Sequence, residues 1–149
     1  MEKLNLPDFN ITLKSEAGKN FVFDVLRRKY VLLTPEEWVR QHFVHLLITH
    51  YQYPKSLIKL ESGLKYNKLK KRSDIIVFDR NGKIFLVVEC KSADVAISQK
   101  VFDQVTMYND TLKGQYVVVT NGLKHYCCSI NHQEKKFEFQ KDLPPFKNL

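Results

Sequence analysis

The sequence has few of the residues that mark secreted, disulfide-stabilised or membrane-embedded proteins. Its 149 residues include three cysteines, Cys90, Cys127 and Cys128, and an odd number argues against a disulfide framework. Cys127 and Cys128 are adjacent, so on a strand they would point to opposite faces and could not easily share one zinc ion. No apolar run reaches the roughly 20 residues that a membrane-spanning helix needs, and residues 1–10 have no apolar stretch of the signal-peptide kind. These absences favour a protein that stays in the cytoplasm.

Internal repeats and low-complexity linkers are absent as well. The length fits one domain of common size, and the 44% hydrophobic fraction is enough for one core without disulfide or metal staples. We therefore expect a single domain over residues 1–149, with its core in residues 20–130 and peripheral termini. Pro144-Pro145 predicts a loose tail.

The charges are unevenly balanced, since 24 Lys and Arg against 16 Asp and Glu give a formal net charge of +8. Such an excess favours polyanionic partners through counterion release, although a lysine-rich surface also serves solubility. The densest basic run comes just before Asp74 and includes Lys68, Lys70, Lys71 and Arg72. We predict that these four side chains contact nucleic-acid phosphates.

Apolar patterns predict alternating strands and helices. Thr34-Pro35-Glu36-Glu37 is typical of a helix start, in which Thr34 caps, Pro35 takes the first helical position and Glu37 completes a capping box. The helix should end before Pro54. Strands 73–79 and 83–90 are apolar on both faces, so helices should cover both sides of their sheet. The other predicted elements are two short strands or a hairpin in residues 21–33, strands at 57–65, 115–120, 123–130 and 136–140, and a helix over 95–112. Together they predict an α/β fold with a central β-sheet flanked by helices.

Strands 73–79 and 83–90 should bring two carboxylates together. Asn81-Gly82 between two apolar runs is a strong hairpin signal. If these residues form a two-residue type I′ loop, Asp74 lies directly opposite Glu89, with Cβ atoms roughly 5 Å apart. Lys91 follows two residues after Glu89 and therefore shares its face.

Two facing carboxylates in an apolar hairpin repel each other, and the low dielectric raises the pKa of one of them unless a cation intervenes. Mg²⁺ suits such a place, because it takes one or two carboxylates plus water and substrate phosphate oxygens. Lys91 would orient the nucleophile or neutralise phosphate charge. The alternative is structural: Asp74 could cap a strand end, and Glu89 with Lys91 could be a surface ion pair.

The segments Arg72–Val77 and Val87–Lys91 together resemble the PD-(D/E)xK nuclease superfamily. More narrowly, the chain is similar to the N-terminal nuclease domain of type I restriction enzyme R subunits, over residues 20–130. The narrower match rests on further segments: Leu33–Glu37 with Val39–Gln41, Gln104 with Tyr108-Asn109, and Val119–Gly122.

This resemblance implies a restriction-endonuclease-like fold, with a mixed central β-sheet flanked by helices, and a metal-dependent DNA endonuclease. It implies Asp74 and Glu89 as ligands of Mg²⁺ (or Mn²⁺) and Lys91 as the catalytic lysine. Glu37 corresponds to the acid on the first helix, with Glu36 as its rival. Glu37 could reach the metal through water, or it could serve only the capping box.

The resemblance also bears on the second helix and on partners. Gln104 is similar to the glutamine of that helix, with a use near the scissile phosphate; a solvated glutamine is the alternative. DNA is the implied partner, and a homodimer is compatible, because many nucleases of this fold cut two strands as dimers. RNA as substrate, and a catalytically silent module that binds nucleic acid or a protein, are the alternative functions.

One feature of the R subunits is missing from the sequence. Those subunits continue into a helicase motor with a phosphate-binding Gly-x-x-x-x-Gly-Lys-Ser/Thr loop, which is not found here. We therefore expect no nucleotide cofactor and no translocation on DNA. The initial Met1 favours a freestanding relative over a fragment.

Overall fold

Two β-sheets and two α-helices make up the described part of the chain, residues 1–60 and 74–146 of a computed structural model. The helices are α1 (Pro35–His45), which continues into a π-helical turn (Leu46–His50), and α2 (Gln99–Leu112). Neither of these described helices has the length and apolar character of a membrane span. The strands are β1 (Leu13–Glu16), β2 (Lys19–Asp24), β3 (Lys29–Leu32), β4 (Ile58–Leu60), β5 (Ile75–Phe78), β6 (Ile84–Cys90), β7 (Tyr116–Thr120), β8 (His125–Asn131) and β9 (Lys136–Gln140).

The larger sheet is mixed, as the family resemblance implies. Its described strands lie in the order β4-β5-β6-β7-β8-β9. Strands β6 and β7 are parallel, and each other neighbouring pair among them is antiparallel. A parallel pair needs a long crossover connection, and α2 supplies it. The predicted α/β fold, a mixed central sheet with flanking helices, is confirmed.

Both faces of this sheet are covered, as its doubly apolar strands predict. On one face, Phe43 of α1 belongs to the same core cluster as Ile75 of β5. On the other face, Phe102 of α2 packs with the apolar residues of β7 and β8. Cys127 belongs to the first cluster and Cys128 to the second, and both thiols are free and buried. The adjacent cysteines therefore point to opposite faces, as expected.

The turn between β5 and β6 differs from the predicted one. Asn81-Gly82 does not form a two-residue loop with Arg80 opposite Lys83. Instead, the N–H of Asp79 donates to Lys83 O at 2.8 Å, and Asp79 Oδ1 accepts from the N–H groups of Asn81 and Lys83, each at 2.9 Å. Of the two predicted loop residues, Gly82 alone has a positive φ, +80°, whereas a type I′ turn requires it at both. The Asp79 side chain thus fixes a longer turn.

A register shift at Val77/Phe78 compensates for this longer turn. Such a bulge changes the pairing by one residue. The ladder beyond it ends with Ile75 paired to Val88, which is the predicted register. Before Ile75, the Asp74 N–H donates to Val88 O at 3.1 Å and Asp74 Oδ2 accepts from the Cys90 N–H at 2.7 Å. Asp74 therefore lies beside the Val88–Cys90 segment that contains Glu89, although the ladder does not pair the two acids directly.

The second helix begins later than its apolar pattern predicts. It starts at Gln99 rather than at residue 95, because Ser98 is its N-cap and accepts a hydrogen bond from the Val101 N–H at 3.3 Å. Val95 instead donates its N–H to Ser92 O in a preceding turn. Ile97 still packs on the α2 cluster, so the apolar spacing extends beyond the helix itself.

A smaller antiparallel sheet, β1-β2-β3, precedes α1. The hairpin predicted in residues 21–33 is confirmed as β2 and β3. Strand β1 was not predicted, because its four residues are all exposed and carry no alternation of apolar and polar side chains. Of the strand predicted at 57–65, β4 accounts for the first part, and residues 61–65 lie outside the described residues.

The tail is docked, so the prediction of a loose tail is wrong. Pro144 is buried, and its carbonyl oxygen accepts a hydrogen bond from the Tyr53 hydroxyl. Phe146 packs against Tyr53 and Phe85, with ring centroids 5.4 and 5.7 Å away. The two prolines end regular structure without releasing the chain, because the aromatic residue after them still has a core surface to cover.

Candidate active site

Asp74 lies where α1 meets the end of β6. Its Oδ1 accepts a hydrogen bond from Arg40 Nη2 at 2.6 Å, and its Oδ2 accepts one from the backbone N–H of Cys90 at 2.7 Å. The residue is buried. Charge-assisted bonds to both oxygens hold this carboxylate in one orientation. The bond to Cys90 also fulfils the strand-capping role considered as an alternative.

Glu89 lies at the end of β6 with less cationic compensation. Its Oε1 is 3.3 Å from Lys91 Nζ, and both side chains are partly exposed. Burial and then the negative charge of Asp74 raise the pKa of Glu89 to about 7, against the opposing charge of Lys91. Near neutral pH, this carboxyl therefore exchanges between its charged and neutral forms.

The backbone fixes the lysine next to this acid. The N–H of Lys91 donates to Thr120 O at 2.8 Å, which extends the parallel pairing of β6 and β7 by one residue. The structure thus brings together Asp74, Glu89 and Lys91, the three residues that the hairpin argument selected. The charge of Asp74 raises the pKa of Glu89, and Lys91 forms an ion pair with Glu89.

Arg40 is the site residue that sequence reasoning missed. From α1 it contacts three carboxylates: Glu36 Oε1 at 2.9 Å, Glu37 Oε1 at 2.6 Å and Asp74 Oδ1 at 2.6 Å. Burial opposes its charge, but the Asp74 and Glu37 carboxylates outweigh burial and raise the pKa of Arg40. Its spacing was a usable signal, because residues three and four positions apart share a helix face.

The two rival glutamates of α1 have different surroundings. The Glu37 side chain is 8% exposed and bonds to Arg27, Arg40 and Gln41, while its backbone N–H donates to the Thr34 cap at 3.0 Å. Its carboxylate therefore does not close the predicted capping box.

Glu36 has a pKa that is shifted by burial and by the charges at the site. Its side chain is 48% exposed and pairs with Arg40. Burial and then the charge of Asp74 raise the pKa of Glu36, while Arg40 and Lys91 oppose the rise. Glu36 also contributes to the raised pKa of Glu89. The electrostatics favour Glu36 over Glu37 as the acid that faces the site.

The smaller sheet joins the site through Asp24, the last residue of β2. Asp24 Oδ2 accepts hydrogen bonds from Arg27 Nε at 2.7 Å and from Gln41 Nε2 at 3.0 Å. Arg27 and Gln41 both also reach Glu37. A continuous polar network therefore runs from β2 along α1 to Asp74, through Arg40. Gln41 Oε1 is its one buried side-chain oxygen without a hydrogen bond in the described part of the chain.

Two groups of predicted residues are not joined to this site. Gln104 is exposed on α2 and its side chain makes no hydrogen bond among residues 1–60 and 74–146, so it does not lie on the inner face of its helix as expected. Lys68, Lys70, Lys71 and Arg72 lie outside the described residues, as does the side chain of Tyr108. Their roles stay predictions.

The donors at the site fit a magnesium ion by their chemistry. Within the described ranges, no group of three or more His, Cys, Asp and Glu side chains could hold a metal. Mg²⁺ does not require such a cage, since one or two carboxylates with water and substrate oxygens suffice. Burial and the nearby charge of Asp74 raise the pKa of Glu89, and a divalent cation between the two acids would offset both effects.

Together, the fold and the site define a restriction-endonuclease-like α/β domain. The described strands of its larger sheet form a mixed sheet with one parallel pair and flanking helices. Asp74, Glu89 and Lys91 lie where β5 begins and β6 ends. Comparison with protein families agrees. The family model of the type I restriction enzyme R protein N terminus matches residues 35–144. The chain belongs to this family. No curated protein matches it in a sequence comparison.

Proposed function

We propose that this domain is a metal-dependent DNA endonuclease that hydrolyses phosphodiester bonds. The observation that carries the proposal is the pairing of a buried acid, Asp74, with a partly buried one, Glu89, beside Lys91, with the pKa of Glu89 raised to about 7. Such close like charges destabilise a fold, and strongly shifted pKa values cluster at functional sites. Membership of the R-protein family supports nuclease chemistry.

Asp74 and Glu89 would hold Mg²⁺ (or Mn²⁺). When bound, the ion would polarise the phosphodiester and acidify a water molecule. The Cys90 N–H keeps the Asp74 carboxylate oriented. Lys91 Nζ would donate to a phosphate oxygen or to the attacking water, because its ion pair with Glu89 holds it beside the acids.

DNA is the proposed partner because of the charge and the position of the basic run. Lys68, Lys70, Lys71 and Arg72 directly precede Asp74 in sequence, so phosphates bound by them would lie near the acids. Binding should weaken with salt, with a log–log slope of about −0.9 per duplex phosphate neutralised. Replacing all four residues with Ala should flatten that slope; an unchanged slope would assign the run to solubility.

The test is cleavage of supercoiled plasmid by the full chain with Mg²⁺ or Mn²⁺. We expect nicked product, inhibition by a chelator, and a loss of roughly 100-fold or more in Glu89→Gln and Lys91→Ala, as for other preorganised charged groups. Linear product at early times would support two copies acting together. Lys136→Ala is the matched control, since Lys136 is exposed on β9, and it should cleave like wild type. Wild-type cleavage by Glu89→Gln would contradict the site.

A catalytically silent binding module is the second candidate, because Arg40 already pairs with Asp74 without a metal. It predicts salt-dependent DNA binding with no product under any metal. Binding and cleavage measured on the same preparation separate the two functions.

A further inference from the structure

We propose that Arg40 is a built-in cation that competes with the divalent ion for Asp74, so that it sets the metal concentration at which the site fills. This inference rests on the proposed metal site. It assigns Arg40 a regulatory role that is distinct from catalysis.

The first step is the contact between the Arg40 guanidinium and the Asp74 carboxylate. Arg40 Nη2 lies 2.6 Å from Asp74 Oδ1, while Asp74 Oδ2 is bonded to the Cys90 N–H. Both oxygens of Asp74 are therefore engaged in the metal-free protein. A metal ligand distance of about 2.0–2.1 Å at Oδ1 would place a divalent charge close to the guanidinium. Two cations on one carboxylate oxygen repel each other at a few ångströms, so metal entry weakens the bond from Arg40.

The second step is that Arg40 can release Asp74 without losing its compensation. Its Nη1 contacts Glu37 Oε1 at 2.6 Å, and its Nη2 is shared with Glu36 Oε1 at 2.9 Å. An Arg that is 14% exposed would be costly to leave unpaired. Here the two glutamates keep it paired. Arg40 can therefore pair with Asp74 when no metal is bound, and keep its pairs with Glu36 and Glu37 when a metal takes its place on Asp74.

The third step is that the other acid has a weaker cationic partner. Glu89 is paired with Lys91 at 3.3 Å, and both side chains are more exposed than those of Arg40 and Asp74, which lie 2.6 Å apart. A divalent ion would thus displace a longer, more exposed ion pair at Glu89 and a short, less exposed one at Asp74. The stronger competition is expected at Asp74, with Arg40 as the competitor.

The experiment measures Mn²⁺ binding by calorimetry and by the electron paramagnetic resonance of free Mn²⁺, without DNA, on the full chain. Arg40→Gln removes the charge and keeps much of the length. We expect Mn²⁺ to bind roughly tenfold more tightly, because a hydrogen bond between charged groups no longer competes. The metal-free melting temperature should fall, and the rise produced by saturating Mn²⁺ should be larger than in wild type. A merely structural arginine would lower the melting temperature without tightening Mn²⁺ binding.

Weaker Mn²⁺ binding in Arg40→Gln would overturn the proposal, because it would make Arg40 a residue that positions Asp74 for the metal. Unchanged affinity would overturn it as well. If Arg40→Gln does not fold, Arg40→Lys keeps the charge, makes fewer contacts, and should bind Mn²⁺ with an affinity between those of wild type and the expected Gln variant. Wild-type affinity in the lysine variant would contradict the proposal.

Glu36→Gln provides an independent arm, since Glu36 is half exposed and the fold should tolerate the change. Loss of this alternative partner should hold Arg40 on Asp74 and weaken Mn²⁺ binding a few-fold. In the Arg40→Gln background the same change should have a smaller effect, limited to the loss of the Glu36 charge near Asp74 and Glu89. An effect as large as in the wild-type background would mean that Glu36 acts on the metal independently of Arg40, which contradicts the competition.

Glu89→Gln separates failure of this inference from failure of the metal site. Loss of Mn²⁺ binding in Glu89→Gln supports the site, and the Arg40 variants then decide the competition. Wild-type Mn²⁺ affinity in Glu89→Gln would overturn the site and, with it, the competition. No Mn²⁺ binding by wild type or by Arg40→Gln would overturn both.

Discussion

Asp24 and Glu89 are both acids near the end of a strand, yet the protein shifts their pKa values in opposite directions. Burial opposes the charge of Asp24, but hydrogen bonds from the backbone and side chain of Arg27, together with Gln41, outweigh burial and lower the pKa. For Glu89, burial and the charge of Asp74 dominate and raise the pKa to about 7. Burial alone therefore does not decide the sign of the shift. The supply of donors decides it, and an acid left short of donors is the one that indicates function.

The largest change in the free energy of unfolding is expected for a substitution of Asp24, the acid whose pKa is lowered. Asp24→Asn removes the charge that Arg27 and Gln41 compensate, and it takes from the partly buried Arg27 guanidinium its shorter ion pair, at 2.7 Å, while the pair with Glu37 at 3.3 Å remains. We expect a loss of roughly 3–5 kcal/mol in the free energy of unfolding, as for other broken buried ion pairs. Chemical denaturation followed by circular dichroism measures it. Asp110→Asn is the control, because the Asp110 side chain is 71% exposed, and it should change stability by no more than about 0.5 kcal/mol. A comparable loss in both variants would remove the distinction.

A titration of stability should show the opposite behaviour at Glu89. Its folded pKa of about 7 exceeds the ordinary value of 4.5, so between these pH values the native state binds more protons than the unfolded state. Stability from this group is therefore present below pH 4.5 and is lost as the pH rises through 7. In chelator, Glu89→Gln should be more stable than wild type at pH 8, by up to roughly 3 kcal/mol.

That advantage of Glu89→Gln should shrink as the pH is lowered to 5, because the wild-type carboxyl then takes up its proton. Unfolding curves of both proteins at matched pH values measure the difference. A gap that does not change with pH would contradict the raised pKa. A wild type that is more stable at pH 8 would show that the ion pair with Lys91 outweighs the repulsion by Asp74.

The smallest changes in stability are expected for Glu37 and Glu36. Glu37 resembles Asp24 in having several hydrogen-bond donors, and Glu36 resembles Glu89 in having a raised pKa. Glu37→Gln gives up buried bonds to Arg27 and Arg40 and should cost roughly 1.5–3 kcal/mol. Glu36→Gln gives up a half-exposed pair and should cost at most about 0.5 kcal/mol. Thermal melts at pH 7 with chelator provide the measurement. Equal losses would show that the polar network does not discriminate between adjacent acids.

The sequence allowed prediction of what depends on local pattern and on charge. Both covered faces and the proximity of Asp74 and Glu89 follow from apolar runs and hairpin pairing. From the sequence, the charge of either facing carboxylate could be the one that destabilises the fold. In the structure it is the charge of Glu89, because Asp74 accepts hydrogen bonds from Arg40 of α1 and from the Cys90 N–H.

What the sequence did not reveal depends on long-range contacts. Arg40 lies 34 positions before Asp74, and no periodicity indicates which distant acid a helical arginine reaches. The docked tail has the same origin, since Pro144 contacts Tyr53 across the chain. The turn at Asp79 was missed for a local reason: a side-chain oxygen replaced the backbone geometry that Asn81-Gly82 favours.

The β5–β6 hairpin has a consequence for the order of folding. Its strands are joined by a short turn, so Asp74 and Glu89 meet through a local contact, and hairpins form in about 1–10 µs. Arg40 arrives from α1, whose docking closes a longer stretch of chain and is slower for that reason. The two negative charges thus meet before their guanidinium partner arrives, and the early hairpin forms against unshielded repulsion. We expect added salt to speed this early pairing, and α1 docking to be the event that makes it persist.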